Sequence, residues 1–271
     1  MQHPFRAIGL LFACLYLLPI LASTALYLLR GGGHLDWRSA DRSSMHLLPP
    51  AARMSGAVVR IFSARTVSWR GIVATHSWIV IKEANARSYE RFDYVAWGGP
   101  IWKDRYLPDG RWFGSNPEVI FAADGMQAAR MLPRIRSTIR DYRYARPGDY
   151  KIWPGPNSNT FVAAIMQSVA MRAALPPTAV GKDFPYEGRW IGLTPSRTGV
   201  RLNLCGYFGI TLGWYEGLEL NLLGAVAGLD LRRPAIKLPG LGRLGVPLYS
   251  RADLQSDTEQ AMSGQQRRLG S

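Results

Sequence analysis

The chain has 271 residues, with 33 Lys and Arg against 19 Asp and Glu and a formal charge of +14, a balance that favours anionic partners such as phospholipid headgroups, acidic envelope polymers or nucleic acid. Two cysteines, Cys14 and Cys205, exclude a disulfide framework, and no Cys/His spacing fits a zinc site, so no metal or other cofactor is expected. The arginines are scattered and no basic run is interleaved with aromatics, which argues against nucleic acid and makes the membrane lipid bilayer the expected partner, with an anionic envelope polymer or lipid as a further one.

Ala7 to Leu29 carries no formal charge, and at about 1.5 Å per residue it is long enough for the roughly 30 Å hydrocarbon core of a bilayer. Residues 1–30 therefore read as a transmembrane anchor, retained because apolar residues continue past a cleavage-like stretch at Ala22 to Ala25. Arg6 precedes the segment and Arg30, Arg38 and Arg42 follow it, so the positive-inside rule gives no orientation. Residues 31–52, with Gly31-Gly32-Gly33 and Pro49-Pro50, read as a linker, residues 53–249 as one globular domain, and residues 250–271 as a disordered polar tail.

Within the domain, Ala57 to Ala64, Gly71 to Lys82 and Tyr89 to Trp97 read as strands, the last two joined as an antiparallel hairpin. Pro108-Asp109-Gly110 is a turn. Ala123 to Tyr142 has one helical face, Ala128, Met131, Leu132, Ile135, Ile139 and Tyr142, with Pro133 kinking the helix or marking its start. The Pro/Gly turn Trp153 to Pro156 leads into a second helix from Ser158, whose buried stripe is Phe161, Val162, Ile165, Met166 and Val169. After Leu175, the runs Val200 to Leu212, Leu218 to Ala227 and Ala235 to Leu238 read as strands or as loops wrapping the domain. Glu216 and Glu219 interrupt them, so no second membrane span is expected. The predicted class is α+β, an antiparallel sheet packed on helices behind one N-terminal transmembrane helix.

His3 lies before the anchor and His34 and His46 in the linker, leaving His76 as the domain's histidine. Strand alternation puts His76, Trp78, Val80 and Lys82 on one face and Ser77, Ile79 and Ile81 on the other. Asn157, Ser158 and Asn159 stand at a helix start, where backbone N–H groups lack helical partners. Two readings are open there. Asn157 and Ser158 cap the helix, a role worth about 1 kcal/mol, while His76 satisfies a local hydrogen bond; or Ser158 is a nucleophile, His76 its general base, and first-turn N–H groups stabilise an oxyanion.

The H-x-W-I-V-I strand opened by His76, the hairpin after it and the Asn157-Ser158-Asn159-Thr160-Phe161 helix start resemble, in that order, circularly permuted papain-like proteins: the NlpC type, lecithin:retinol acyltransferase relatives and PPPDE-type isopeptidases. In those families a His precedes a nucleophilic Cys. The resemblance implies that Ser158 takes the cysteine's place and that Asp93, or Glu90, orients His76 from the next strand. Asn157, Asn159, Trp78, Arg111, Lys182 and Asp183 would then line the cleft. A serine has no thiolate, so the site is either that of a serine enzyme or part of a fold kept for binding. A second resemblance spans about Asp36 to Val246 through Asp41-Arg42-Ser43-Ser44, Trp69-Arg70-Gly71 to Trp78, Asp109 to Gly114, Trp153 to Phe161 and Leu175 to Asp183. It is to an uncharacterised bacterial family, a domain of unknown function with an N-terminal membrane segment.

Two functions follow as expectations. One is a membrane-tethered hydrolase or acyltransferase acting on an envelope amide or ester through Ser158 and His76. The other is a non-catalytic envelope binding or scaffolding module that retains a papain-like fold. The expected location is the bacterial inner membrane, single-pass, with a periplasmic domain by analogy with cell-wall-acting papain-like proteins.

Overall fold

The computed structural model describes residues 3–31 and 37–249. The expected tail and residues 32–36 of the expected linker, His34 among them, lie outside the described residues. Two antiparallel sheets organise the chain.

The five-stranded sheet has the order β4-β3-β2-β1-β5, from β1 (Val58–Arg65), β2 (Thr75–Lys82), β3 (Glu90–Tyr94), β4 (Ile101–Lys103) and β5 (Glu118–Asp124). The expected hairpin is β2–β3, paired at Ile79↔Phe92 and Ile81↔Glu90. Because side chains alternate across a strand, Ile79, Ile81, Phe92 and Tyr94 enter one core cluster with the helices, whereas Phe62, Ala64, Trp78 and Val80 enter another beneath Trp112 and Phe113. Both faces of this sheet are thus covered by protein.

Two helices cover the first face. Helix α3 (Gly125–Arg140) buries Ala128, Leu132, Ile135 and Ile139 of the expected stripe, with Met131 half-buried and Tyr142 beyond the helix end, and Pro133 lies inside it rather than at its start. Helix α4 (Ser158–Ser168) buries Phe161, Val162, Ile165 and Met166. From Trp37 onward the stretch expected as a linker is docked on the domain. The Asp109 carboxylate accepts the Ser44 hydroxyl at 2.6 Å and the Leu47 backbone N–H at 2.7 Å.

The second sheet, read from sequence only as strands or wrapping loops, has seven strands in sequential order. These are β6 (Ile191–Leu193), β7 (Gly199–Leu204), β8 (Phe208–Gly213), β9 (Gly217–Leu222), β10 (Ala225–Asp230), β11 (Ala235–Leu238) and β12 (Gly242–Gly245). Tight turns join them. At Gly217, φ is +73° and an added Cβ would lie 2.2 Å from the Leu229 carbonyl oxygen, so only glycine fits this hairpin.

The polarity of this sheet is inverted. Asn203, Thr211, Glu219, Asn221, Asp230 and Lys237 are buried on its inner side, while leucines point outward. Cross-strand pairing lines up Leu193, Val200, Leu212, Leu218, Leu229, Ile236 and Leu244, one per strand across the whole sheet. All seven side chains are exposed.

The N-terminal helix runs through α1 (His3–Phe12), a π-helical turn (Ala13–Leu17) and α2 (Leu18–Leu29). It is long and apolar enough to cross a membrane. Along one side it packs on the second sheet: the Tyr16 hydroxyl donates to the Leu220 carbonyl at 2.9 Å, and the Ser23 hydroxyl donates to the carbonyls of Ile72 at 2.6 Å and Gly240 at 3.1 Å. The rest of its circumference is exposed and apolar.

Candidate functional site

The start of α4 is fully hydrogen-bonded. Asn157 is its N-cap: the side-chain oxygen accepts the N–H groups of Asn159 and Thr160, and Thr160 Oγ1 accepts the Asn157 N–H in a capping box. The other end of the Asn157 amide donates to the carbonyls of Ile152 and Val180, each at 2.9 Å. Gly181 makes room for it, since a Cβ there would lie 2.2 Å from Asn157 Nδ2. Asn159 donates to the carbonyls of Thr75 and Val180 and accepts the Ser77 hydroxyl at 2.8 Å.

Ser158 is 3 % exposed, and its side chain and backbone hydrogen-bond to Tyr150, whose hydroxyl pKa burial nevertheless raises. The first-turn N–H groups expected to face a developing oxyanion are therefore already engaged.

His76 lies on the other face of the sheet. It shares the face of Trp78 and its ring stacks on Trp112 at 3.6 Å and 3°, whereas the strand position turned toward α4 is Ser77. The expected approach of His76 to Ser158 does not occur, because a one-residue step in a strand reverses the side chain.

What His76 does meet is Asp93, at 2.9 Å through Nε2. Asp93 also accepts Arg91 Nε at 2.7 Å and Nη2 at 2.9 Å. The Arg91 guanidinium lies 4.1 Å over the Trp78 ring and donates to the Leu107 carbonyl. All three polar residues are buried. Burial lowers the His76 pKa, outweighing the upward pull of Asp93. For Asp93, burial pushes upward, but Arg91 and His76 hold the carboxyl below its usual range. The group is a neutral imidazole and an ion pair sealed under aromatic rings, with every charge compensated.

The remaining expected site residues are dispersed. Trp78 is buried and donates to the Pro108 carbonyl at 2.9 Å. Arg111 bonds Ser43, Asn116 and Asp41 near the docked N-terminal stretch. Glu90 pairs with Arg136 and Lys103, which push its pKa down to about 2. Lys182 and Asp183 form a buried network against the inner side of the second sheet. Lys182 contacts Glu219 and, at 3.2 Å, Asp183; Lys237 reaches Glu219 at 2.6 Å, and Asn221 donates to Asp183 at 2.9 Å.

A cavity of about 560 Å³ opens elsewhere, between the ends of β1 and β2, the loop from Arg172 to Thr178 and the β10–β12 end of the second sheet. Its ionic lining is Arg65, Arg172, Arg232, Arg233, Lys237 and Arg243 against Glu118 and Asp230. Asp230 is neutralised by Arg243 at 2.9 Å. Thr75 is 7 % exposed, and its hydroxyl, like Arg232 Nε, has no hydrogen-bond partner among the described residues. Burial lowers the Arg65 pKa, Glu118 raises it, and Arg30 at the end of the N-terminal helix lowers it further; a guanidinium remains charged under any such shift. Guanidinium groups around a concave site suit the fork geometry of phosphate and carboxylate.

Sequence reasoning did not find this cavity. Its residues are scattered along the chain from Leu47 to Tyr249, and only the Arg232-Arg233 pair in a turn hinted at concentrated charge. Among the described residues there is no group of three or more His, Cys, Asp or Glu able to hold a metal.

Residues 56–184 match a family described as "Protein of unknown function (DUF3750)". The match covers the five-stranded sheet with α3 and α4 and stops before the seven-stranded sheet. No curated protein and no solved structure matches the chain.

Proposed function

We propose that the chain is a membrane-tethered, non-catalytic binding module of the bacterial envelope, and that its basic cavity takes an anionic group, a phosphate or carboxylate carried by a lipid or polymer. The observation that carries this reading is the cavity itself, with six basic side chains against two acidic ones in its lining. The influence of Arg30, at the end of the apolar helix, on Arg65 in the cavity lining supports a site at headgroup level. An inner-membrane, single-pass location with the domain in the periplasm belongs to the same proposal.

The competing proposal is a papain-like serine hydrolase or acyltransferase at Ser158. It requires a proton acceptor other than His76 and a rearrangement of the capped helix start, so the binding reading is preferred.

Calorimetric titration of the full chain in dodecyl maltoside with dihexanoyl phosphatidylglycerol, and separately with inorganic phosphate, tests the choice. The binding reading expects saturable heat from one or both anions and none from dihexanoyl phosphatidylcholine. It also expects Arg172→Glu combined with Arg232→Gln to weaken binding at least about tenfold, or 1.4 kcal/mol. Equal binding of the anionic and zwitterionic lipids, or an unchanged affinity in the double variant, would contradict it. Labelling by a fluorophosphonate that disappears in Ser158→Ala would favour the hydrolase.

A further inference from the structure

We infer that the outer face of the seven-stranded sheet is a lipid-contact surface, seated among the acyl chains of one leaflet beside the N-terminal helix. The inference is independent of what the cavity binds. Four observations converge on lipid as the occupant.

The first is the inverted polarity. An antiparallel sheet with one solvated face normally turns its polar residues to water and its apolar ones inward. Here β9 does the opposite: Glu219 and Asn221 are buried while Leu218 and Leu220 are exposed. The apolar row runs unbroken from Leu193 on β6 to Leu244 on β12, and a second row pairs Ile191, Leu202, Ile210 and Leu220. Leu212 is 58 % and Ile191 70 % exposed. A continuous patch of this kind marks an interaction site, and alternation with apolar residues outward is the pattern of strands that face lipid.

The second is continuity. The membrane-competent helix lies against this same sheet, at Leu220 through Tyr16 and at Gly240 through Ser23, so sheet and helix present one joined apolar surface. A helix inserted in a bilayer brings the neighbouring leucines to the same interface.

The third is the rim. Trp190 before β6, Tyr207 in the β7–β8 turn and Trp214 in the β8–β9 turn are exposed, and Arg197, Arg232 and Arg233 lie in turns at the Trp214 end. Aromatic rings and arginines around an apolar face suit the headgroup zone, the rings through their amphipathic character and the arginines through anionic lipid.

The fourth limits the depth. The sheet is open, and the free edges of β6 and β12 need water or headgroups for their backbone groups. The face therefore lies in one leaflet and does not span.

Site-specific fluorescence on the full chain tests this. With Cys14→Ser and Cys205→Ser as background, single cysteines at Leu212, Leu218 or Leu229, and at the exposed helix position Met126 as control, are labelled with nitrobenzoxadiazole. The chain is reconstituted in phosphatidylcholine–phosphatidylglycerol vesicles with or without nitroxide-bearing acyl chains. Proteolytic fragmentation matching that of the unlabelled chain selects folded variants. The inference expects blue-shifted emission, quenched by the nitroxide lipid, at the three sheet positions and water-like, unquenched emission at Met126. Water-like emission at the sheet positions overturns it. Blue-shifted emission that the nitroxide lipid leaves unquenched overturns it equally, because protein, such as a second copy of the chain, then covers the face.

Discussion

The five-stranded sheet is covered on both faces, and its polar residues, His76, Asp93 and Arg91, are enclosed among tryptophans. Apart from the N-terminal helix packed at Leu220 and Gly240, the seven-stranded sheet has protein on one side, and there it holds Glu219, Lys237 and Asp230, with exposed leucines on the other. In the first sheet apolar burial supplies the stability, since each buried CH₂ is worth about 0.8 kcal/mol. In the second, the inner contacts are ion pairs, which hold geometry but give little net energy against a hydrophobic alternative. The contrast teaches that a sheet's polarity reports its surroundings on each side, and the lipid-contact inference takes the outer surroundings of the second sheet to be acyl chains.

Breaking one charge of a buried network should have the largest effect. Glu219→Gln leaves Lys182 and Lys237 buried without their shared carboxylate and is expected to cost about 3–5 kcal/mol. Leu218→Gln, one residue away on the outer face, moves one uncharged amide into the detergent and should cost less, about 0.5–2 kcal/mol in micelles. Chemical unfolding in detergent compares the two, and equal losses would remove the distinction between the faces. In the first sheet, Asp93→Ala strands Arg91 and should cost about 3–5 kcal/mol by the same measurement.

The pH dependence separates the sheets more gently. His76 has a lowered pKa in the fold, so the unfolded chain binds its proton first. Its contribution is complete above pH 6.5 and declines as pH falls below that value. Glu219, held down to about 2 by Lys182 and Lys237 against the upward push of burial, contributes fully above pH 4.5 and loses that contribution as pH falls toward about 2. A melting-temperature profile should therefore decline in two stages on acidification, and Glu219→Gln should reduce the lower one, to which Glu90 and Asp93 also contribute. The helix start gives smaller effects than either buried network. Asn157→Ala should cost about 1–2 kcal/mol through the lost cap, and Ser158→Ala about 1 kcal/mol through its bond to Tyr150.

The capped helix and the β2–β3 hairpin were legible because their signals are local: Asn157 ahead of an apolar stripe, and two Val/Ile-rich runs around a polar turn. The contact of His76 with the neighbouring strand's Asp93 was expected only through the papain-like resemblance, with Glu90 as the alternative. The separation of His76 from Ser158 was not legible. Alternation in β2 assigned His76 and Ser77 to opposite faces, but Trp78 and Val80 are as apolar as Ile79 and Ile81, so hydropathy does not say which face meets α4. The second sheet was obscured differently. Its strands are short, its turns glycine-rich, and Glu216 and Glu219 were read only as ruling out a second membrane span, whereas in the structure the charges are the buried residues and the leucines the exposed ones.

Magnetisation transfer from lipid acyl-chain protons to leucine and isoleucine methyl groups, by solid-state NMR of the full chain in bilayers, tests the contrast between the sheets most directly. Rapid transfer to Leu212, Leu218 and Leu229, with none to Ile79 or Ile81 at the same mixing time, is the expected result. Transfer confined to the methyl groups of the N-terminal helix would contradict it.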